Sequence, residues 1–267
     1  MMFLTTQSLW LAAFVLVGVT TAIAMASPVL VRRAFGLDKL SANNEVAGFK
    51  FATVGVLYAV LLGFAIIVVW EKFSDAESGV AQEAGAAATV YRLAAGIGDA
   101  PGDGGPGTAL RERLNTYVET VIHEDWPAME RGGASPAATR ALDATYAAAL
   151  SYSPNDRRGE AVLTEVLRQL DAMTQARRAR LVLAAGIVPE IIWIVLFVGA
   201  VLVIGFTLFF GAENLFAQTL MTGVLTVLIF SGLLIIVAID HPFAGSVKVT
   251  HEALSTVLEN FGGLSQP

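Results

Sequence analysis

Ionisable groups are scarce in the apolar stretches of this 267-residue chain, so the few found there are the first candidates for chemistry. Glu190 interrupts the otherwise uncharged run from Leu181 to Ala212. At a bilayer centre such a carboxyl costs roughly 2.5–3.5 kcal/mol on insertion scales and implies a function. At an interface that cost largely disappears, and Pro189 just before it favours the interfacial position. Asp240-His241-Pro242-Phe243 closes another apolar run. A buried Asp-His pair titrates near neutral pH and senses protons, whereas the plainer alternative is an interfacial stop set by Pro242. His123-Glu124-Asp125-Trp126-Pro127-Ala128-Met129 sets carboxylates beside a histidine, as metal or acid–base chemistry requires. Adjacent residues on a helix point in different directions, so this cluster reads as a helix end with solvated charges, stopped by Pro127. In the last apolar run, Gln218, Thr219, Thr222, Thr226 and Ser231 are expected to hydrogen-bond between helices rather than coordinate an ion.

The run from Phe51 to Trp70 carries the most information. At about 100° per residue, Thr53, Leu57, Val60, Phe64, Val68 and Glu71 share one face of a helix. The other side holds Gly55, Ala59 and Gly63 at i, i+4 and i+8, a small-residue stripe that lets another helix approach closely. If several copies surround an axis with the first face inward, Val60, Phe64 and Val68 form apolar rings able to gate by dewetting, and Glu71 forms a charged ring at the mouth. The alternative is that the bulky face meets lipid and the stripe merely packs helix on helix.

Conventional catalysis finds no support. The absence of cysteine excludes disulfides, thiolate metal sites, iron–sulfur clusters and cysteine nucleophiles. His123, His241 and His251 are scattered, and there is no G-x-S-x-G, H-E-x-x-H, P-loop or dinucleotide fingerprint. No enzyme activity, metal or cofactor is expected. A net charge of −6 lacks the basic surface that nucleic-acid binding needs.

The elements that must position these residues follow from charge and hydropathy. Only 15% of residues are charged, against about 25% in soluble domains, and the mean hydropathy is +0.64. Of the 40 charged residues, 28 fall between Glu71 and Arg180. A bilayer takes roughly 20 helical residues to cross, and four uncharged runs suffice: Met1–Val31, Phe51–Trp70, Leu181–Ala212 apart from Glu190, and Asn214–Ile239. Ala24-Met25-Ala26 before Ser27 resembles a signal-peptidase site, but no Lys or Arg precedes it, so a retained helix is expected. The chain is therefore an all-α membrane protein: spans one and two in residues 1–71, a helical extramembrane insert in 72–180, spans three and four in 181–240, and a short tail in 241–267. Its partner is the lipid bilayer. The joint Gly211-Ala212-Glu213-Asn214 makes the last two spans antiparallel neighbours. No breaker interrupts Trp70 to Ala95 or Asp156 to Gly186, which predicts that spans two and three continue out of the bilayer as long rods, the third kinked at Pro189. The insert then acts as a stalk or vestibule of the membrane part. Lys and Arg flank the spans on both sides (Arg32, Arg33, Lys39 and Lys50 against Lys72, Arg168, Arg177, Arg178, Arg180 and Lys248), so the positive-inside rule leaves the orientation open.

Asn44-Glu45-Val46-Ala47-Gly48-Phe49-Lys50-Phe51, the segment Gly55–Phe64, Glu124-Asp125-Trp126-Pro127-Ala128-Met129, Ile204-Gly205-Phe206-Thr207 and Asp240-His241-Pro242-Phe243 together resemble a bacterial bestrophin-like four-span membrane protein family, formerly a domain of unknown function. The resemblance covers nearly the whole chain. It implies a homo-oligomeric, pentameric channel for small ions in the inner (plasma) membrane. Span two would line the pore with an apolar neck, and the helices of the insert would extend the conduit into the cytoplasm. Bestrophins are longer, carry an acidic calcium clasp and have more than one phenylalanine in the neck. No acidic run here matches the clasp, and with Glu71 at one mouth a cation or an anion pathway is open. The rival is a membrane scaffold, or a subunit of an ion-driven motor acting through a single-span partner that carries an intramembrane carboxylate.

Overall fold

The computed structural model describes residues 8–35, 40, 44–97 and 105–263. Every regular element among them is helical: α1 (Leu9–Phe35), α2 (Asn44–Ala94), α3 (Pro106–Thr120), α4 (Trp126–Met129), α5 (Pro136–Leu150), α6 (Arg157–Ala184), α7 (Glu190–Thr207), α8 (Leu215–Ile239) and α9 (Glu252–Gly263). A π-helical turn, Val121–Asp125, joins α3 to α4. Helices α1, α2, α7 and α8 are long and apolar enough to cross a membrane. Lys39 and most of the Gly/Asp/Pro segment after Ile97 lie outside the described residues.

Local chemistry explains the boundaries. Helix α2 contains no proline and runs unbroken for 51 residues, about 75 Å at 1.5 Å per residue. The Ser135 hydroxyl caps α5 by accepting from Ala137 N–H at 3.1 Å, with Pro136 at the first helical position. Asp156 accepts from Gly159 N–H at 2.7 Å to start α6, and Asn214 from Ala217 N–H at 3.1 Å to start α8.

The third rod differs from expectation. It is broken, not kinked: α6 ends at Ala184, Gly186 takes φ +107°, and α7 begins only at Glu190. Gly186 tolerates the left-handed backbone, Pro189 disfavours helix at Val188, and a side chain distant in sequence completes the break. The Asp240 carboxylate accepts from Ile187 N–H at 3.2 Å and from Val188 N–H at 2.8 Å.

The described residues fall into two compact units. One is drawn from Met1–Glu71, Ile187–His241 and Gly245–Val247. In it α1 packs along α8 with Met25 against Gly223, and α2 reaches α8 where Leu62 lies over Gly232. The Tyr58 ring covers Gly199 of α7 and its hydroxyl donates to Leu196 O at 3.0 Å. Glycine is required at these close approaches because a Cβ would come within 3 Å of each neighbour. Thr222 and Thr226 donate back to the carbonyls of Gln218 and Thr222 on their own helix, and Gln218 Nε2 donates to Phe210 O at 2.6 Å. The expected bonds of these three from helix to helix are thus replaced by bonds within α8 and to the preceding turn, which satisfy the hydroxyls locally.

The other unit is drawn from Lys72–Gly186, Pro242–Ala244 and Lys248–Pro267. Its core buries Leu110, Leu114, Tyr117, Val118 and Val121 together with Val166, Leu170 and Met173. The last helix belongs to this unit: Phe261 stacks on Tyr91 with ring centroids 4.0 Å apart, and the Tyr91 hydroxyl donates to Phe261 O at 3.0 Å.

Candidate functional site

In its apolar half, α2 has three distinct sides. Tyr58 and Val69 are buried, and with Leu62 they form the side that packs within the chain. Leu57, Val60, Phe64 and Val68 are 48–67% exposed, and Thr53 and Glu71 are exposed with them. On the third side Ala59 is exposed, and a Cβ added at Gly55 or Gly63 would meet nothing within 4 Å. At about 100° per residue the packed side stands roughly 140° from the Phe64 side and roughly 80° from the glycine side. A single chain therefore covers one side of this helix and leaves two open. Phe64 and Val68 border an apolar groove of about 230 Å³ whose opposite wall is Ile187, Val188, Pro189 and Ile192.

In its polar half, α2 carries Lys72, Asp75, Ser78, Gly79 and Gln82 along a second groove of about 650 Å³, faced by Gln175, Ala176, Ala179, Val182 and Leu183 of α6. Lys72 Nζ and Asp75 Oδ2 form an ion pair at 2.9 Å. By helical phase, Asp75, Ser78 and Gln82 continue the row of Val60, Phe64, Val68 and Glu71.

The remaining candidates are placed plainly. Glu190 is exposed at the first position of α7, where a negative charge suits the helix dipole. Asp240 is buried and ties down the 187–188 backbone, and His241 Nδ1 lies 3.0 Å from its other carboxylate oxygen. His123 and Glu124 are exposed, but Asp125 and Trp126 are buried, so the expectation of a solvated helix end is corrected for those two. Pro127 does not stop the helix either, since it sits inside α4. Among the described residues no group of three or more His, Cys, Asp or Glu is placed to hold a metal ion.

Asp125 belongs to a buried charge network. Arg180 donates to Glu83 from Nε at 2.9 Å and from Nη2 at 3.1 Å, to Asp125 Oδ2 at 3.3 Å, and to Met129 Sδ at 3.0 Å. Arg177 donates to both Asp125 oxygens at 3.0 and 3.2 Å. The Ser135 N–H donates to Asp125 at 2.8 Å and the Tyr117 hydroxyl to Glu83 at 2.6 Å. The Arg180 guanidinium also lies over the Trp126 ring, 5.0 Å from its centroid. Side chains Glu83, Asp125 and Arg180 are fully inaccessible, and two carboxylates balance two guanidiniums. Burial alone would lower the Arg180 pKa, but the Glu83 charge and hydrogen bonds, with Tyr117 and Asp125, outweigh it and hold it above its ordinary value. Burial, then the Glu83 charge, pushes the Tyr117 phenol well above its ordinary 10.0, so it stays a donor.

A profile of the Bestrophin-like domain matches residues 18–254. The chain belongs to the Bestrophin-like family. Crystal structures of a bacterial bestrophin homologue from Klebsiella pneumoniae align with it at TM-scores of 0.70 and 0.69, covering 92% and 91% of this chain and 98% and 96% of that one. A crystal structure of a membrane protein variant aligns at 0.71, covering 92% of this chain and 97% of that one. Sequence identity is 13% in each case, so the likeness establishes the fold. No curated protein sequence matches the chain.

The charge network of this Bestrophin-like chain was not found from sequence, although a signal for it exists. Val166, Leu170, Met173, Arg177 and Arg180 form one row at alternating spacings of four and three, and so do Ala76, Val80, Glu83, Ala87 and Val90. All ten are buried. A charge that continues an apolar row marks a buried partner on another helix.

Proposed function

We propose that this chain is a subunit of a homo-oligomeric channel, a pentamer by the family resemblance, that passes small ions across the inner (plasma) membrane along α2. The observation that carries the proposal is the three-sided partition of α2. A pore-lining helix in a ring meets its own subunit, a neighbouring subunit and the axis. Here Tyr58, Leu62 and Val69 meet the first, Gly55, Ala59 and Gly63 suit close approach of the second, and Leu57, Val60, Phe64 and Val68 are left for the third. Phe64 then lies near the constriction, with Val60 and Val68 as flanking apolar rings, Thr53 toward one end and Glu71 at the other mouth. Glu190, Asp240 and His241 lie off this row of α2: Asp240 holds the 187–188 backbone, and the buried Asp240–His241 pair, 3.0 Å apart, is kept with Glu190 as the candidate for ion or proton sensing.

The test is ion flux from liposomes holding the purified protein, with the oligomer counted by native mass spectrometry. A closed ring and flux above empty liposomes are expected, and Phe64→Ala should raise or deregulate the flux by widening the neck. No flux at any pH, calcium level or potential refutes the channel, and an unchanged Phe64→Ala flux moves the pore elsewhere.

A further inference from the structure

Helices α1, α7 and α8 border a groove of about 260 Å³ that lies wholly within the unit of the four spans. Thr20 and Ser27 line it from α1, Val201, Gly205 and Leu208 from α7, and the buried Phe230 from α8. Its two hydroxyls are spent on their own helix: Thr20 donates to Leu16 O and to Val17 O at 3.2 Å, and Ser27 donates to Ile23 O at 2.8 Å. What remains is an apolar surface. Gly205 keeps it open, since a Cβ there would meet nothing within 4 Å. All three helices are long and apolar enough to cross a membrane, so the solvent that reaches the groove is lipid hydrocarbon.

One end of the groove leads to positive charge. From Thr20 to Ser27 and from Val201 to Leu208 it follows α1 and α7 for about 10 Å. Beyond that end Arg32 Nη1 donates to Ala212 O and Glu213 O, both at 3.3 Å, and Arg32 lies about 7.5 Å along α1 from Ser27. Those bonds leave its Nε–Nη2 edge, which fits a phosphate bidentately, and Arg33 beside it is exposed. The described Lys and Arg of this unit, Arg32, Arg33 and Lys50, all stand at this end of the spans, together with Glu45 and Glu213. Glu71, Glu190 and Asp240 stand at the other end, where none of the unit's described Lys or Arg lies. A negative headgroup therefore has its complement at one end of the groove only.

We propose that the groove between α1 and α7 seats an acyl chain of an anionic phospholipid whose phosphate is held by Arg32 and Arg33. The proposal does not depend on α2 lining a pore.

The test uses the full-length protein in detergent, with added dioleoyl phosphatidylglycerol or dioleoyl phosphatidylcholine and the retained lipid counted by native mass spectrometry. Phosphatidylglycerol should be held about tenfold more tightly than phosphatidylcholine. Arg33→Gln, on the exposed side of α1, should weaken phosphatidylglycerol about fivefold, and Arg178→Gln, an exposed cation of α6, should not. Gly205→Leu fills the groove and should release the lipid with both arginines intact. Circular dichroism confirms that each variant keeps its helix content. Equal retention of the two lipids, or retention of phosphatidylglycerol unchanged by Arg33→Gln or by Gly205→Leu, overturns the proposal. So does displacement of the lipid by inorganic phosphate at equal concentration, which would make this an anion site without an acyl seat.

Discussion

Arg180→Met isolates the energetic role of the buried charge network. The substitution keeps a long flexible side chain and deletes a guanidinium that is wholly inaccessible and donates to Glu83, Asp125 and Met129. Asp125 keeps Arg177 and the Ser135 N–H, so the penalty falls on Glu83, left with the Tyr117 hydroxyl. An unpartnered buried charge of this kind costs about 3–5 kcal/mol, a large part of the roughly 5–15 kcal/mol that holds a domain folded. Adding Glu83→Gln removes the orphaned charge yet leaves Tyr117 an acceptor. The double variant should therefore be more stable than Arg180→Met by about 2 kcal/mol, and the two changes should be strongly non-additive. Thermal and denaturant unfolding in detergent, followed by circular dichroism, measures both. A loss below about 1 kcal/mol for Arg180→Met, or simple additivity with Glu83→Gln, would refute the assignment of Glu83 as a charge held by Arg180.

Other perturbations probe the membrane unit. Asp240→Ala leaves Val188 N–H without its acceptor, while Ile187 N–H keeps the Asp240 backbone oxygen at 3.0 Å. A loss of about 1–2 kcal/mol and faster hydrogen exchange at Val188 are expected, with Asp240→Asn milder because it keeps an acceptor; equal behaviour of the two variants contradicts the capping role. Gly199→Ala places a Cβ 2.6 Å from the Tyr58 ring and should destabilise by about 1–3 kcal/mol despite alanine's better helix propensity. Gly55→Ala meets nothing within 4 Å and should gain about 0.5–1 kcal/mol in the isolated chain, so matching signs in thermal melts undermine the packing described here. Gly63→Leu should leave that chain folded but reduce the assembly seen by native mass spectrometry; an intact ring would remove the glycine side from the subunit contact.

Much of the fold was legible because its signals are local. The spans announce themselves by uncharged length, and the unbroken α2 follows from the lack of any proline between Asn44 and Ala94. What stayed hidden depends on residues far apart in sequence. The break before α7 requires Asp240, 52 residues from Val188, so inspection of Pro189 alone suggested only a kink. Asp125 looked solvated because its neighbours His123 and Glu124 are exposed, while its partners Arg177 and Arg180 lie 52 and 55 residues downstream. The π turn over Val121–Asp125 ends with Asp125 and Trp126 together facing inward, a placement that regular helical phase does not single out. For the candidate pathway, the row on α2 could be drawn from periodicity alone.

The buried charges also order events while the chain is being made. Glu83 emerges 97 residues before Arg180, and Asp125 emerges 52 before Arg177. Until both arginines have arrived, each carboxylate is more stable in water than in a half-built interior, so the helices around them cannot close into a dry core early. Closure waits on contacts of long sequence separation, the slow kind in any folding reaction. Nascent chains stopped short of Arg180 should stay open to protease across residues 105–150, and those released just beyond it should become resistant, which makes the arrival of one arginine a checkpoint in biogenesis.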